Sequence, residues 1–340
     1  MRRVLVLGGY GFFGRAAAGL LRELGVRPLL ASRRPGAEVV VDVEDVASLR
    51  LALRPGDVLL DAVGPFQRRT TALVEAALER CCAVVDLADA LDYVQAVQAL
   101  AERAAQAGVA LLPACSSVSA LSAAMVRWSG IERPVRFAGF LVPAARHSAV
   151  RATAASLFAS VGRPVRVLED GRLLARDGWS RARRFAFPPP VGPRAGRLFE
   201  TADAVTLPTA LPGLRAVESY VDTNVVGLNA LFAMAARVPA LRSMVEKAQP
   251  LGVPLARVLG GRAGGVGAEV EDEDGRIVRM AVAGSERSYL AAVVPAALAV
   301  RALAEDRFEG RGVIPPHLQV DDGELRALLA RLGMAPVLLR

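Results

Sequence analysis

The 340-residue chain is almost without lysine and histidine: Lys247 is its only lysine, and His147 and His317 are its only histidines. A Walker-type phosphate loop needs a lysine behind a run of glycines, and Lys247 has no such run before it. Two histidines are too few for a histidine-rich metal site, and no His-Glu-x-x-His pair occurs. Cysteine is scarce as well. Cys81 and Cys82 are adjacent rather than spaced for zinc, and with Cys115 they make an odd count that argues against a disulfide framework and for a reducing compartment. Aromatics are only 5% of a chain that is 53% hydrophobic, so Ala, Val and Leu must fill the core. The net charge of +8 is built from scattered arginines, densest at Arg181, Arg183 and Arg184, with no aromatics interleaved to stack on bases. That pattern argues against a nucleic-acid face. Glu271 to Gly275 resembles a calcium loop, but Val270 and Ala281 stand where the first and last ligands belong, so it reads as an acidic turn. The uncharged stretch Ala104 to Val126 is long enough to span a bilayer. It is broken by Gly108, Pro113 and four serines, so a helix end, a strand, a polar loop and a new helix are expected there. With no signal peptide ahead of the first strand, the expectation is a soluble, cytoplasmic protein without integral membrane association.

Strand and helix alternate from the start. Apolar runs at Arg2 to Leu7, Arg27 to Ser32, Glu38 to Val43, Asp57 to Val63, Ala83 to Leu87 and Val109 to Pro113 read as buried strands. Helices are expected up to about Leu24, over Glu44 to Leu53, Thr70 to Arg80 and Asp92 to Ala107. This alternation predicts an α/β, Rossmann-type doubly wound parallel sheet. After about Trp128 the pattern changes. Asp170-Gly171 and Asp274-Gly275 sit between alternating runs, the strongest short hairpin signal. Around the second turn, Val266, Ala268 and Val270 alternate with Glu269 and Glu271, and Val278, Met280 and Val282 repeat the pattern. A second α+β domain with an antiparallel or mixed sheet, covered on one side, is therefore expected. The last helices are expected over Ser288 to Glu305 and Glu324 to Leu332. The first of these is apolar on more than one side and needs more than one neighbour. The resulting division is residues 1–128 as a nucleotide-binding domain, 129–304 as a substrate and dimerisation domain, and 305–340 packing back on the first. A homodimer is expected through the second domain.

Five motifs carry chemistry. Gly9-Tyr10-Gly11-Phe12-Phe13-Gly14, preceded by Gly8, follows a strand and opens a helix. In that context one glycine permits the turn, one the approach of a pyrophosphate, and one close helix–strand packing. The second strand ends in Ser32-Arg33-Arg34, where an NAD site would carry an acid for the ribose 2′-hydroxyl. A carboxylate would repel a 2′-phosphate and a guanidinium binds it, so NADP(H) is the expected dinucleotide. Val63-Gly64-Pro65-Phe66 closes the fourth strand and can lie along the nicotinamide side. Asp86 and Ala88 in Asp86-Leu87-Ala88-Asp89, and the Cys115-Ser116-Ser117 loop, end the next two strands on the same rim. No metal ligands are expected. A proton donor is not evident. His317 is the first candidate, since a histidine's ordinary pKa suits general acid work, with Tyr220 and Tyr289 behind it and water as an equal alternative.

Together, Gly8 to Gly14, Val63-Gly64-Pro65-Phe66-Gln67, Val84 to Asp89, Ser116-Ser117 and Gly310-Arg311-Gly312-Val313-Ile314-Pro315-Pro316 resemble the saccharopine dehydrogenase-like family of NADP-binding oxidoreductases. The resemblance covers both ends of the chain; residues 130–270 match it in general character only. It implies hydride transfer from NADPH to an imine or carbonyl of a small, often amino-acid-derived substrate, a C-terminal segment near the first domain, and some members acting on lipid-like chains. The rival expectation is a non-catalytic sensor that binds NADP(H) without turnover.

Overall fold

The computed structural model describes residues 1–339, the side chains of residues 249 and 250 aside. The chain divides into two compact units: Met1–Leu121 with Ala292–Leu325, and Ser122–Ala291 with the residues from Arg326 on.

The first unit opens with β1 (Val4–Leu7), α1 (Phe12–Glu23), β2 (Leu29–Ser32), β3 (Val39–Val40), α2 (Val46–Ala52) and β4 (Val58–Asp61). It continues through α3 (Ala72–Glu79), β5 (Ala83–Asp86), α4 (Leu91–Gln98), α5 (Ala101–Gln106) and β6 (Ala110–Leu112). β1, β4, β5 and β6 are short, apolar and buried, as strands covered on both faces must be, while β2 and β3 at the edge are partly exposed. Their order is β3-β2-β1-β4-β5-β6, every pair parallel, which is the Rossmann order. α1 buries Leu20 and Leu21 and is closed by Gly25 at φ +84°. The single helix expected over Asp92 to Ala107 is two, α4 and α5, parted at Ala99-Leu100.

The second unit contains α6 (Ala120–Trp128), β7 (Pro134–Val142), α7 (Ala145–Ser148), α8 (Arg151–Ala159), β8 (Pro164–Glu169), β9 (Arg172–Asp177), β10 (Ala182–Ala186) and β11 (Pro193–Phe199). There follow α9 (Asp203–Ala210), β12 (Ala216–Val221), α10 (Leu228–Arg237), α11 (Pro239–Lys247), α12 (Gln249–Leu259), β13 (Gly264–Asp272) and β14 (Ile277–Gly284). The nine-stranded sheet is mixed: β7 and β12 are parallel and the other pairs antiparallel. Asp170 and Gly171 both take positive φ, +48° and +73°, as a two-residue hairpin turn demands. The alternation read around the second hairpin holds in register, with Val270 opposite Val278, Ala268 opposite Met280 and Val266 opposite Val282.

The face carrying Glu269 is not solvated, contrary to the sheet covered on one side. β10 lies across it: Arg183 pairs with Glu269, and Phe185 stacks on Phe140 at 4.5 Å. Glu269 is consequently buried between Arg183 and Arg279, and Glu218 between Arg136 and Arg181. A carboxylate denied water needs such partners.

The chain then re-enters the first unit. Ser288 to Ala292 is a short 3₁₀ turn and only Val294–Ala304 is a true helix, α13, because Pro295 lacks an N–H and belongs in a first turn. α13 is apolar all round and packs on α1, β4 and β5. β15 (Gly312–Val313) adds a seventh parallel strand beside β6. Helix α14 (Asp322–Arg331) leads to β16 (Val337–Leu339), which pairs with β14 in the second unit. Among the described residues no helix is long and apolar enough to cross a membrane.

Gln319 ties the closing loop to the sheet. Its amide nitrogen donates to Pro113 O at 2.9 Å and Ile314 O at 3.0 Å, and the side chain is buried. Gln319→Ala leaves both carbonyls without that donor and is expected to lower unfolding stability by about 1–3 kcal/mol. Urea melts that superimpose on the parent's would refute this role.

Candidate functional site

The parallel strands of the first unit end flush. Ala31, Leu7, Asp61 and Asp86 stand side by side across β2, β1, β4 and β5. Every loop singled out in the sequence for the first unit therefore leaves one rim, the carboxyl edge where ligands of such sheets bind.

At the centre of that rim the chain turns from β1 into α1. Gly8 has φ +71°, and a Cβ there would lie 3.0 Å from Ala62 O. Gly14 lies tighter still, for a Cβ would meet Gly8 O at 2.1 Å. Gly11 N–H donates to Gly8 O at 2.8 Å. No side chain caps α1 and its first turn holds no acid. Its positive end is thus presented to an anion. Phe12 and Phe13 meet edge to face at 5.1 Å, and the Tyr10 hydroxyl accepts the Glu38 N–H at 3.3 Å.

Ser32, Arg33 and Arg34 follow directly. Ser32 Oγ accepts the Arg34 N–H at 3.1 Å, a local turn that holds the loop. Both arginines are exposed; Arg33 lies 3.7 Å from Asp42. Sequence reasoning missed an acid here. Glu38 comes back along the strand edge, and its carboxylate accepts the Leu30 N–H at 2.6 Å. It is already engaged by backbone, and no spacing rule could have marked it.

Beneath the Gly64-Pro65-Phe66 turn lies a buried charge cluster. Asp61 is wholly buried, accepts the Val63 N–H at 2.9 Å, and pairs with Arg69 at 3.0 Å. Arg69 also holds Val63 O at 2.8 Å, pairs with Glu44, and lies 5.7 Å from the Phe66 ring. Phe66 in turn packs on Tyr93 at 5.1 Å. Burial pushes Asp61 upward against the pull of Arg69 and the Val63 N–H. Burial works against the guanidinium of Arg69, but Asp61 outweighs it and keeps the group charged. Arg69, Glu44 and Tyr93 were not foreseen. The one available signal was a strand ending in an aspartate that had to be buried, with an arginine eight residues on.

Asp86 and Ala88, at the end of β5 and just after it, are both buried. Asp86 Oδ1 accepts the Ala88 N–H at 3.0 Å and the Ala114 N–H at 2.7 Å, joining the loops after β5 and β6. Burial pushes Asp86 up to about 7, against those two bonds and with Asp61 adding to the rise. Ser116 Oγ closes its own turn on Val118, accepting its N–H and donating to its carbonyl. Cys115 is fully buried and burial drives its thiol well up, so it is no nucleophile. His317 follows β15 in the turn Pro316–Leu318, one strand beyond β6 and on the same side of this sheet. Of the other candidate acids, Tyr220 is buried in the second unit, stacked on Phe140 and donating to Glu218 at 3.0 Å. Burial and Glu218 push it up, making it a poor proton donor. Tyr289 sits beside His147, ring centres 6.2 Å apart.

No family model and no curated protein matches the sequence. Solved structures do match the fold. Apo histidine-tagged saccharopine dehydrogenase (L-Glu forming) from Saccharomyces cerevisiae aligns over 100% of both chains, with a TM-score of 0.62 at 13% identity. The chain has the fold of saccharopine dehydrogenase. A meso-dapdh variant with DAP from Clostridium tetani E88 aligns over 96% of each chain at TM-score 0.46 and 13% identity. Myo-inositol 2-dehydrogenase from Lactobacillus plantarum aligns over 100% of this chain and 99% of its own at 0.44 and 10%. Scores at that level carry no further argument. The saccharopine dehydrogenase fold accounts for the whole length described, both units included.

The Asp86 staple gives a pH signature. A carboxyl raised from its ordinary value near 4 to about 7 binds its proton more tightly folded than unfolded, so its contribution falls as pH rises through that window. Asp86→Asn keeps an oxygen for both N–H groups and removes the charge. Relative to this variant, the parent is expected to lose stability between pH 4 and pH 7 and to stay level above. Denaturant melts giving a pH-independent difference would show that the carboxyl carries no such load.

Proposed function

We propose that the chain is an NADP(H)-dependent oxidoreductase acting on an imine or carbonyl of a small, amino-acid-derived substrate. The observation that carries the reading is the rim itself: a glycine turn too tight for a side chain at residue 14, an uncapped α1 above it, and Ser32-Arg33-Arg34 one strand away. These residues fit a dinucleotide. Gly9, Gly11 and Gly14 would let the backbone approach its pyrophosphate, and Ser32 and Arg33, with Arg34 behind, would take the 2′-phosphate. When bound, NADPH supplies the hydride. Arg69 and Asp61 hold both backbone groups of Val63, and so set the height of Gly64, Pro65 and Phe66 beside the nicotinamide ribose. Asp86, through Ala88 and Ala114, keeps the neighbouring loops in place. His317 holds the proton to be delivered to the reduced atom. The second unit supplies the substrate and dimerisation surfaces in this reading, and the compartment is the cytoplasm.

NADPH oxidation in the presence of 2-oxo acids with amines, simple carbonyl compounds and enoyl compounds tests the reading. Turnover is expected with a carbonyl or imine. Tight binding without turnover across the panel would favour a sensor instead. His317→Gln is expected to lower kcat about a hundredfold and leave NADPH affinity unchanged, the size and pattern of a lost general acid. An unchanged kcat would remove His317 from the site.

Cofactor choice is tested separately. NADPH is expected to bind at least tenfold tighter than NADH, because a charge-assisted contact to the 2′-phosphate is worth about 1.5–3 kcal/mol. Arg33→Ala should shrink the ratio, and Arg33→Ala with Arg34→Ala should abolish it. Calorimetry giving equal affinities for the parent protein would overturn NADP(H) preference.

A further inference from the structure

The second unit holds a cavity that the nicotinamide reading does not use. It lies among α7, α8, α10, α11 and α12 and has a volume of about 250 Å³. Its wall is apolar: Leu157, Phe158, Leu231, Phe232, Val245 and Leu251 face it. Three hydroxyl side chains belong to its lining, those of Ser148, Thr153 and Thr223; Ser148 donates to Ala144 O at 3.1 Å and Thr223 to Asn229 at 2.8 Å. An apolar cavity of this kind stays dry and accepts an apolar molecule. Its size suits a narrow chain better than a ring system with substituents, since drug-sized sites start at about 300 Å³.

The mouth adds two features. Leu251 and Leu255 line the cavity yet are 76% and 56% exposed, so the opening itself is greasy. Met244 and Val258 on the same helices are also exposed. The charge on the helices that enclose the cavity is one-sided. The five helices carry Arg146, Arg151, Arg237, Arg242, Lys247 and Arg257 against the single acid Glu246. Glu246 is taken by Arg163 at 3.1 Å. Arg257 stands at the wall, its Nε donating to the carbonyl of cavity-lining Ala149 at 3.1 Å.

We propose that this cavity binds an amphiphile with one alkyl chain and an anionic head, the chain inside and the carboxylate or phosphate at Arg257. The charge of the surrounding helices selects the anion, and the apolar wall selects the chain. All of these residues belong to the second unit, so the proposal stands whether or not the first binds NADP(H).

Fluorescence of cis-parinaric acid with the full-length protein is the direct probe, displaced by saturated fatty acids of eight to fourteen carbons. Affinity is expected to rise up to about fourfold per added methylene until the cavity is full, the ratio that corresponds to ~0.8 kcal/mol. Ala154→Trp fills the cavity and should abolish probe binding. Leu251→Asp, at the exposed mouth, should do the same and guards against a misfolded tryptophan variant; circular dichroism checks both. Arg257→Glu should weaken dodecanoate about tenfold and leave dodecanol unchanged. Co-sedimentation with phosphatidylglycerol and phosphatidylcholine vesicles separates the sources of the head group. Association with the anionic vesicles that Ala154→Trp removes identifies a membrane lipid, and displacement by free fatty acid alone identifies a soluble one. Absence of both probe and vesicle binding, affinity independent of chain length, or a dimer that shields this face and excludes the probe would overturn the proposal.

Discussion

Helix α1 lies so close to the turn after β1 that a methyl group at residue 14 would stand 2.1 Å from the Gly8 carbonyl. That approach sets the height of the helix over the sheet, and so the direction in which its unsatisfied N–H end points. Gly8 in turn sits against the Ala62 backbone, just past the end of β4. A side chain at residue 14 would have to push the helix away, and with it the uncapped N–H end that stands at the rim.

The rest of the rim is built by burying charge under it. Asp61 and Asp86 are neighbours in register on β4 and β5, and both are out of water. Two such carboxylates side by side would repel one another. Arg69 answers the first, while two backbone N–H groups answer the second. These are the bonds that fix Val63, Ala88 and Ala114, and so the loops at this rim are placed by polar groups beneath them rather than by apolar packing. A network of this kind specifies geometry more than it adds stability, since a buried pair recovers little beyond its own desolvation.

The second unit uses charge in another way. Glu218 and Glu269 flank Ala138 in register on the face of the sheet covered by β10, and the arginines of β7, β10 and β14 close over them. Against this polar layer stand Phe140, Phe185 and Tyr220, stacked ring on ring. The helical layer is the opposite case. Its residues leave Met244, Leu251, Leu255 and Val258 in solvent and an apolar cavity behind them.

Much of the first unit was written locally. The strand–helix alternation, the glycines and the turn after β4 follow from propensity, periodicity and the steric needs of single residues, so they are legible residue by residue. The Asp170-Gly171 hairpin and the pairing of Val270 with Val278 are legible for the same reason. What remained hidden depends on polar partners that no local rule pairs. Glu38 reaching Leu30 and Arg69 finding Asp61 cross a turn, while Arg69 finding Glu44 and Gln319 holding Pro113 join distant segments, and neither spacing nor composition records them. Glu269 looked solvent-facing because its strand alternates; it is buried because β10 crosses over it. Helices α10 to α12 went unread in the sequence: Pro239 opens α11, Pro254 lies inside α12, and apolar residues are left outside. Local sequence therefore determined which elements form and which turns need glycine. Tertiary structure alone decided which charges are buried, which partners answer them, and where an apolar cavity is left open, because each of these is a balance of desolvation against contacts that exist only once the chain has closed.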